Sequence, residues 1–287
     1  MYKLMRVAAI GLAVLLAAGC ATIDYDYPRS ESYFLPSTSD TSLARDIEPV
    51  VARHPSDQSG FYPMNDGVDA LATRLLLAEQ AEKSIDVQYY LIKNDIVGRA
   101  FIYYLLKAAD RGVRVRLLLD DMFTSGYDVG IAALHSHPNF EIRIFNPFHR
   151  GAAGRAQSAL TGFGRINRRM HNKSFTVDNQ ITIIGGRNIA DEYFGLDESA
   201  NFRDLELLLG GQIVQDVSDA FDLYWNDRWT FPIETLAHAS ASFVELDKAR
   251  HVAAPVSELH GEESVVRQRA RWLNIVAEAD NGETVLY

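Results

Sequence analysis

The chain has 287 residues, enough for one substantial domain with extensions, and 47% apolar against 23% charged residues excludes a disordered protein. A formal net charge of -10 argues against broad nucleic-acid binding, which needs a basic face, so no stable nucleic-acid partner is expected. Cys20 is the single cysteine, which excludes an internal disulfide.

Lys3 and Arg6 give a short basic start, followed by a small-residue apolar run from Ala8 to Ala18 and then Gly19-Cys20. The run is too short for a comfortable membrane span and reads as a signal peptide over residues 1–19. Residues 20–60 carry Pro28, Pro36, Pro49 and Pro55 among Ser, Asp and Tyr, lack sustained periodicity and read as a linker. The domain proper is expected over 61–240.

Leu71, Leu75, Leu76 and Ala78 recur at helical spacing and predict a helix from Asp69 to Ala81. A strand over Ile85–Ile92, a helix over Val97–Asp110 stopped at Gly112, and a strand over Val113–Leu119 follow. Such a strand-helix-strand unit implies a parallel pair with a right-handed crossover. A short helix is expected over Asp128–His135 and a strand over Phe140–Phe145, with Glu141 and Arg143 alternating against apolar neighbours. His149–Gly164 is rich in Gly, Ala and Ser and reads as a loop. It runs into Arg165, Arg168 and Arg169. From Ile142 to Val177 there are seven Lys or Arg and no acidic residue. This basic island is open to two readings: contact with a phosphate or anionic lipid through Arg168 and Arg169, or a solvated basic loop.

Met170-His171-Asn172-Lys173-Ser174-Phe175-Thr176-Val177-Asp178 comes next, then Ile181-Thr182-Ile183-Ile184-Gly185-Gly186-Arg187-Asn188. On a strand, His171 and Lys173 share a face. Val177–Ile181 reads as the turn of a hairpin, and Gly185-Gly186 lets backbone approach whatever that pair faces. Asn188 adds a neutral donor. A histidine flanked by Lys and Asn donors suits attack on a phosphorus whose oxygens must be held. Phe202–Leu209 is expected as a strand and Val214–Trp225 as an amphipathic helix, broken at Thr230-Phe231-Pro232. Glu245–Tyr287 is charged, weakly helical and without visible chemistry, and residues 241–287 read as a linker or the start of a second half.

His171-x-Lys173-x4-Asp178 resembles the signature of the phospholipase D superfamily. Ser84–Tyr90, Gly112–Asp121, Asn201–Asp204 and Phe221–Asn226 are similar to further elements of that fold, nearest to the bacterial cardiolipin synthase branch. The resemblance implies an α/β fold: a mixed, mostly parallel central sheet with helices on both faces. It implies phosphatidyl transfer or phospholipid hydrolysis, with His171 attacking phosphorus to give a phosphohistidine. Lys173 and Asn188 would hold the oxygens beside the close backbone at Gly186, and Asp204 is a candidate acceptor for the second imidazole nitrogen. A strand-end Asp204 paired with Arg203 or Arg187 is the alternative. Asp178 stabilises the turn more naturally than it touches substrate. The scheme requires no cofactor, and no metal-ligand cluster is legible. Cys20 after Ala17-Ala18-Gly19 resembles a bacterial lipobox. That implies a lipidated Cys20 anchored in the cell envelope, on the outer membrane facing the periplasm. Among eight histidines only His171 has Lys two residues on, whereas the family carries two such motifs. Three arrangements stay open: two copies of the chain pairing about a two-fold axis, a homodimeric nuclease of single-motif type, and an incomplete half-enzyme.

Overall fold

The computed structural model describes residues 23–36, 38–151, 154–156, 158, 163–197, 199–237 and 243–253. The expected signal peptide, Cys20 and most of the C-terminal segment lie outside them.

The Thr41 hydroxyl accepts from the Ala44 N–H at 3.2 Å and starts helix α1 (Ser42–Val51). Strand β1 (Ser59–Met64) follows. Asp66 then caps helix α2 (Gly67–Gln80) by accepting from the Asp69 N–H at 3.0 Å. Strand β2 (Ser84–Tyr89) leads to Asp95, whose carboxylate accepts from Gly98 N–H at 2.9 Å and opens helix α3 (Ile96–Asp110). Strand β3 (Arg114–Asp120), helix α4 (Asp128–His135) and strand β4 (Phe140–Phe145) complete the crossover series. After a short helix α5 (Phe163–Ile166) come the hairpin strands β5 (Ser174–Val177) and β6 (Ile181–Gly185), then β7 (Glu206–Gly211) and helix α6 (Gln212–Trp225). Strand β8 (Thr230–Pro232) and helices α7 (Glu234–Ala237) and α8 (Phe243–Ala253) finish the chain as described.

All eight strands join one sheet in the order β1-β7-β6-β5-β2-β3-β4-β8. Only β2–β3 and β3–β4 pair in parallel; the other five pairings are antiparallel. The sheet is mixed as expected but mostly antiparallel, which corrects the expectation of a mostly parallel one. The crossover rule applies to β2, β3 and β4 alone. The hairpin turns back beside β2, and the β1 and β8 edges run against their neighbours. Thr230–Pro232, expected as a break after α6, is itself the edge strand β8. There Pro232 costs no interior ladder bond.

The two sheet faces differ. Ile85, Val87, Val115, Leu117, Ile142 and Ile144 are buried in the main apolar core beneath α2, α3 and α4. Under α6 the other face buries charge. Arg116 Nε and Nη2 donate to Asp86 at 2.6 and 2.8 Å, Nη2 forms an ion pair with Asp222 at 2.8 Å, and the guanidinium lies 4.8 Å over the Phe221 ring. The segment expected as a linker closes this face. Arg116 and Arg143 donate to the Ser32 and Ser30 carbonyls at 3.0 and 2.7 Å, and Trp225 Nε1 donates to Ser32 Oγ at 2.8 Å. Among the described residues no helix is long and apolar enough to cross a membrane.

Candidate active site

Because β5 runs against β2, the residues entering β5 lie beside those leaving β2. β6 ends, and β7 begins, at the same edge. The topology therefore brings Tyr90, His171–Lys173, Gly186–Asn188 and Asp204 to one end of the sheet.

His171 and Lys173 precede β5 and are not part of it, so strand alternation is not what pairs them. Lys173 is 6% exposed and His171 stands in solvent. The Lys173 ammonium sits 2.9 Å from His171 Nδ1 and 3.4 Å from Nε2, and donates to the His171 carbonyl at 2.8 Å. Partial loss of hydration first, then the Lys173 charge, hold the largely exposed imidazole below its ordinary 6.5, against the pull of Asp204. Burial brings Lys173 down to about 8, again against Asp204. Near neutral pH the pair is thus a free imidazole beside a cation, the two states that attack and charge stabilisation need.

The Tyr90 ring packs on His171 with centroids 4.7 Å apart and lies 5.5 Å from the Lys173 ammonium. Nothing in the sequence marked Tyr90 beyond its place after β2.

Gly186 lets the Asp204 carboxylate come close: a Cβ there would force that side chain to swing away. Asp204 accepts from its own Leu205 N–H at 2.8 Å and makes no hydrogen bond to His171, acting on it through charge. Nor does it pair with Arg187. That partner is Glu206, which holds Arg74 and, at 3.3 Å, Arg187, all three buried. Arg187 also donates to the Met64 and Asn65 carbonyls at 3.0 and 2.7 Å, fixing the backbone beneath Gly186.

Asn188 is 5% exposed, its Nδ2 donates to the Tyr193 hydroxyl at 2.9 Å, and its Oδ1 has no partner. Rotating the amide lets Tyr193 donate to Oδ1 and frees an N–H donor. An orphaned buried polar atom at this edge is what an amide kept for a ligand looks like.

Asp178 lies at the opposite end of the hairpin, fully buried. Its carboxylate accepts from the N–H groups of Glu82, Lys83 and Ser84 at 3.0, 2.7 and 2.9 Å.

The basic island is largely consumed inside the fold. Arg169 donates to Asp120 at 3.1 Å and to the Asn146 carbonyl at 2.6 Å, and Arg150 bridges Asp121 and Asp128 at 2.6 and 2.7 Å. Arg168 is exposed, pairs with no described acidic residue, and lines a recess with Tyr224 and Trp229 that includes neither His171 nor Lys173. Asp120, pushed up to about 6 by burial, accepts from Met170 N–H at 2.8 Å and so clasps the chain one residue before His171. Among the described residues no three His, Cys, Asp or Glu side chains gather as a metal site.

Fold and site together define a phospholipase D-like domain. The family described as cardiolipin synthase, PLD-like domain, matches residues 76–225, and the chain belongs to that family. Cardiolipin synthase C of Escherichia coli is 48% identical over 192 residues, 67% of this chain and 40% of that protein. An uncharacterized protein of Helicobacter pylori is 36% identical over 233 residues, 81% of this chain and 46% of that protein. The chain spans less than half the length of these curated relatives. The solved phosphatidylserine synthase of Haemophilus influenzae superposes on 75% of this chain and 48% of that one, with TM-score 0.47 and 12% identity.

Proposed function

We propose that this chain supplies one histidine half-site of a phospholipid phosphodiester reaction, either phosphatidyl transfer or hydrolysis. A nitrogen of His171 bonds to the phosphorus as the bond from phosphorus to the first alcohol oxygen breaks. Water or a second alcohol then attacks the phosphohistidine and releases His171. Lys173, and Asn188 in the rotated orientation, hold the non-bridging oxygens while charge builds. Asp204 favours the imidazolium that forms transiently. The observation that carries this reading is the Lys173 ammonium, buried and shared between the imidazole and the open end of the sheet.

The leaving alkoxide needs a proton, and the described site has no second histidine on the far side of it. The donor comes from a second His-x-Lys motif, carried by further chain of the kind the longer relatives have or by a second copy across a two-fold axis. The chain acts at a membrane, held at the cell envelope through lipidated Cys20.

Incubating the protein with phosphatidylglycerol and following both cardiolipin and phosphatidic acid tests the reading. Product that disappears with His171→Ala supports it. Unchanged product in that variant, or none from wild-type protein in any assembly state, overturns it.

A further inference from the structure

Beneath Tyr90, on the face of the sheet covered by α3, α4 and α8, lies a cavity of about 280 Å³. Ile102, Leu117, Leu119, Ile131, Leu134 and Ile142 form its wall. Leu117 and Ile142 are 1% and 0% exposed, so the floor is core. The cavity is open on one side, where Lys93, Asn94, Arg99 and Thr124 also line it, and along its apolar wall it forgoes the dispersion contacts that a filled core would make. Lys93, Asn94, Gly126 and Gly130 are exposed at its open side, and Tyr90 connects it to the site. Phe123 and Tyr127, which also line it, are 48% and 50% exposed, and Phe123 packs edge-on against Tyr90 at 5.3 Å. Tyr90 lines the cavity on one side and packs on His171 on the other.

We infer that this cavity receives one hydrocarbon chain of the lipid whose phosphodiester meets His171. The inference rests on the phospholipid reading of the site and names what selects the substrate there. Three features commit it to an alkyl chain. The wall offers apolar surface in depth. The one deep carboxylate, Asp120, already accepts from Met122 and Met170 N–H groups at 2.9 and 2.8 Å. The mouth stands one aromatic ring from the nucleophile, so a chain entering past Tyr90 leaves its phosphate at the sheet edge. At about 30 Å³ for a water-sized group, the cavity holds about nine methylenes. It is a selector for the first part of a chain rather than a tunnel for a whole one.

Gly130 on α4 lines the cavity and has open space where a Cβ would stand. Gly130 is exposed, so Gly130→Trp sets a large ring at the cavity's rim without a Cβ clash, and in a helix it gains propensity. Ala249→Phe on α8 fills it from another side. The test uses the full chain carrying His171→Ala, which removes turnover and leaves the cavity intact, kept in cholate, which has no alkyl tail. Single-chain phosphatidylglycerols of 6 to 14 carbons are titrated by calorimetry below their micelle concentrations. Affinity should rise up to about fourfold per methylene and level off near nine. Either filling variant should bring the level forward to shorter chains and weaken the longest by at least tenfold, with the thermal transition within a few degrees of the parent. Affinity that keeps climbing through 14 carbons, or a profile that neither variant moves, overturns the assignment. A level that persists in a protein whose wild-type form turns over no phospholipid would sink the proposed reaction and leave the cavity assignment standing.

Discussion

The two ends of the β5–β6 hairpin carry the two ends of one eight-residue motif, and they are built on opposite terms. At the turn, Asp178 is 0% exposed and every carboxylate contact is a backbone N–H of the segment entering β2. The left-handed backbone at Asp178 and Asn179 (φ 50° and 48°) suits residues that tolerate that region. At the other end His171 is exposed, Lys173 is buried with its acidity raised, and Asn188 keeps an unpartnered oxygen. The turn end satisfies its polar groups, while the other leaves the Asn188 oxygen unpartnered, and the proposed chemistry draws on that end. The fixed spacing of the motif is then mechanical. The four residues between Lys173 and Asp178 are strand β5 itself, which sets the buried lysine one strand's length from its anchor.

The comparison breaks most sharply at His171. His171→Ala should remove turnover by about 10⁶-fold, the scale of deleting a covalent nucleophile, yet shift stability by no more than about 0.5 kcal/mol because the side chain is exposed. Asp178→Ala should do the reverse. It strands three N–H donors, that of Ser84 buried and those of Glu82 and Lys83 partly so, and should cost about 3 kcal/mol, read as a lower urea midpoint at unchanged slope. Asp178→Asn, which keeps one acceptor oxygen, should cost less. Lys173→Ala should lower turnover by about 10²- to 10³-fold, as loss of a preorganised oxyanion donor does.

pH separates the ends further. Activity should rise as His171 loses its proton somewhere below 6.5 and fall as Lys173 loses its own near 8. The stability sign is opposite to that of a paired lysine. The folded protein binds Lys173's proton less well than the unfolded chain does. That destabilises the fold below about 8 and is relieved as pH rises through the window from about 8 toward the unfolded value of 10.5. Lys173→Met should flatten that part of the stability profile. The smallest effect is expected at Asn188. Its alanine variant should lose roughly tenfold in turnover, the scale of one neutral hydrogen bond to a charged group, and Tyr193→Phe should lose less by leaving the amide unoriented.

Much of this was legible in the chain. Ile85, Val87 and Tyr89 alternate with Asp86 and Gln88, and α3 and β3 follow with the spacing that forces a parallel crossover. His171, Lys173, Gly186 and Asn188 were marked by motif and converge on one edge. What sequence reading missed has physical causes. The overall strand direction depends on where the hairpin docks, and no local period reports that. The stretch from Phe202 reads as strand, but β7 starts only at Glu206, because Asp204 lies against Gly186 as loop. The segment expected as a linker holds helix α1, which sequence reading missed, and before it residues 24–36 lack periodicity because they make single, irregular contacts. Ser30 and Ser32 satisfy buried arginines that only the folded sheet brings under α6. Arg169 looked free for phosphate because its partner, Asp120, is 49 residues away along the chain.

The most direct test of a nucleophilic His171 is to trap the intermediate. Protein mixed with phosphatidylglycerol, quenched in base where a phosphorus–nitrogen bond survives, and mapped by peptide mass spectrometry should carry a phosphatidyl adduct on His171. The adduct should be absent in His171→Ala and diminished in Lys173→Ala. Product forming from phosphatidylglycerol with no adduct on His171, at a rate that His171→Ala does not change, would contradict the mechanism outright.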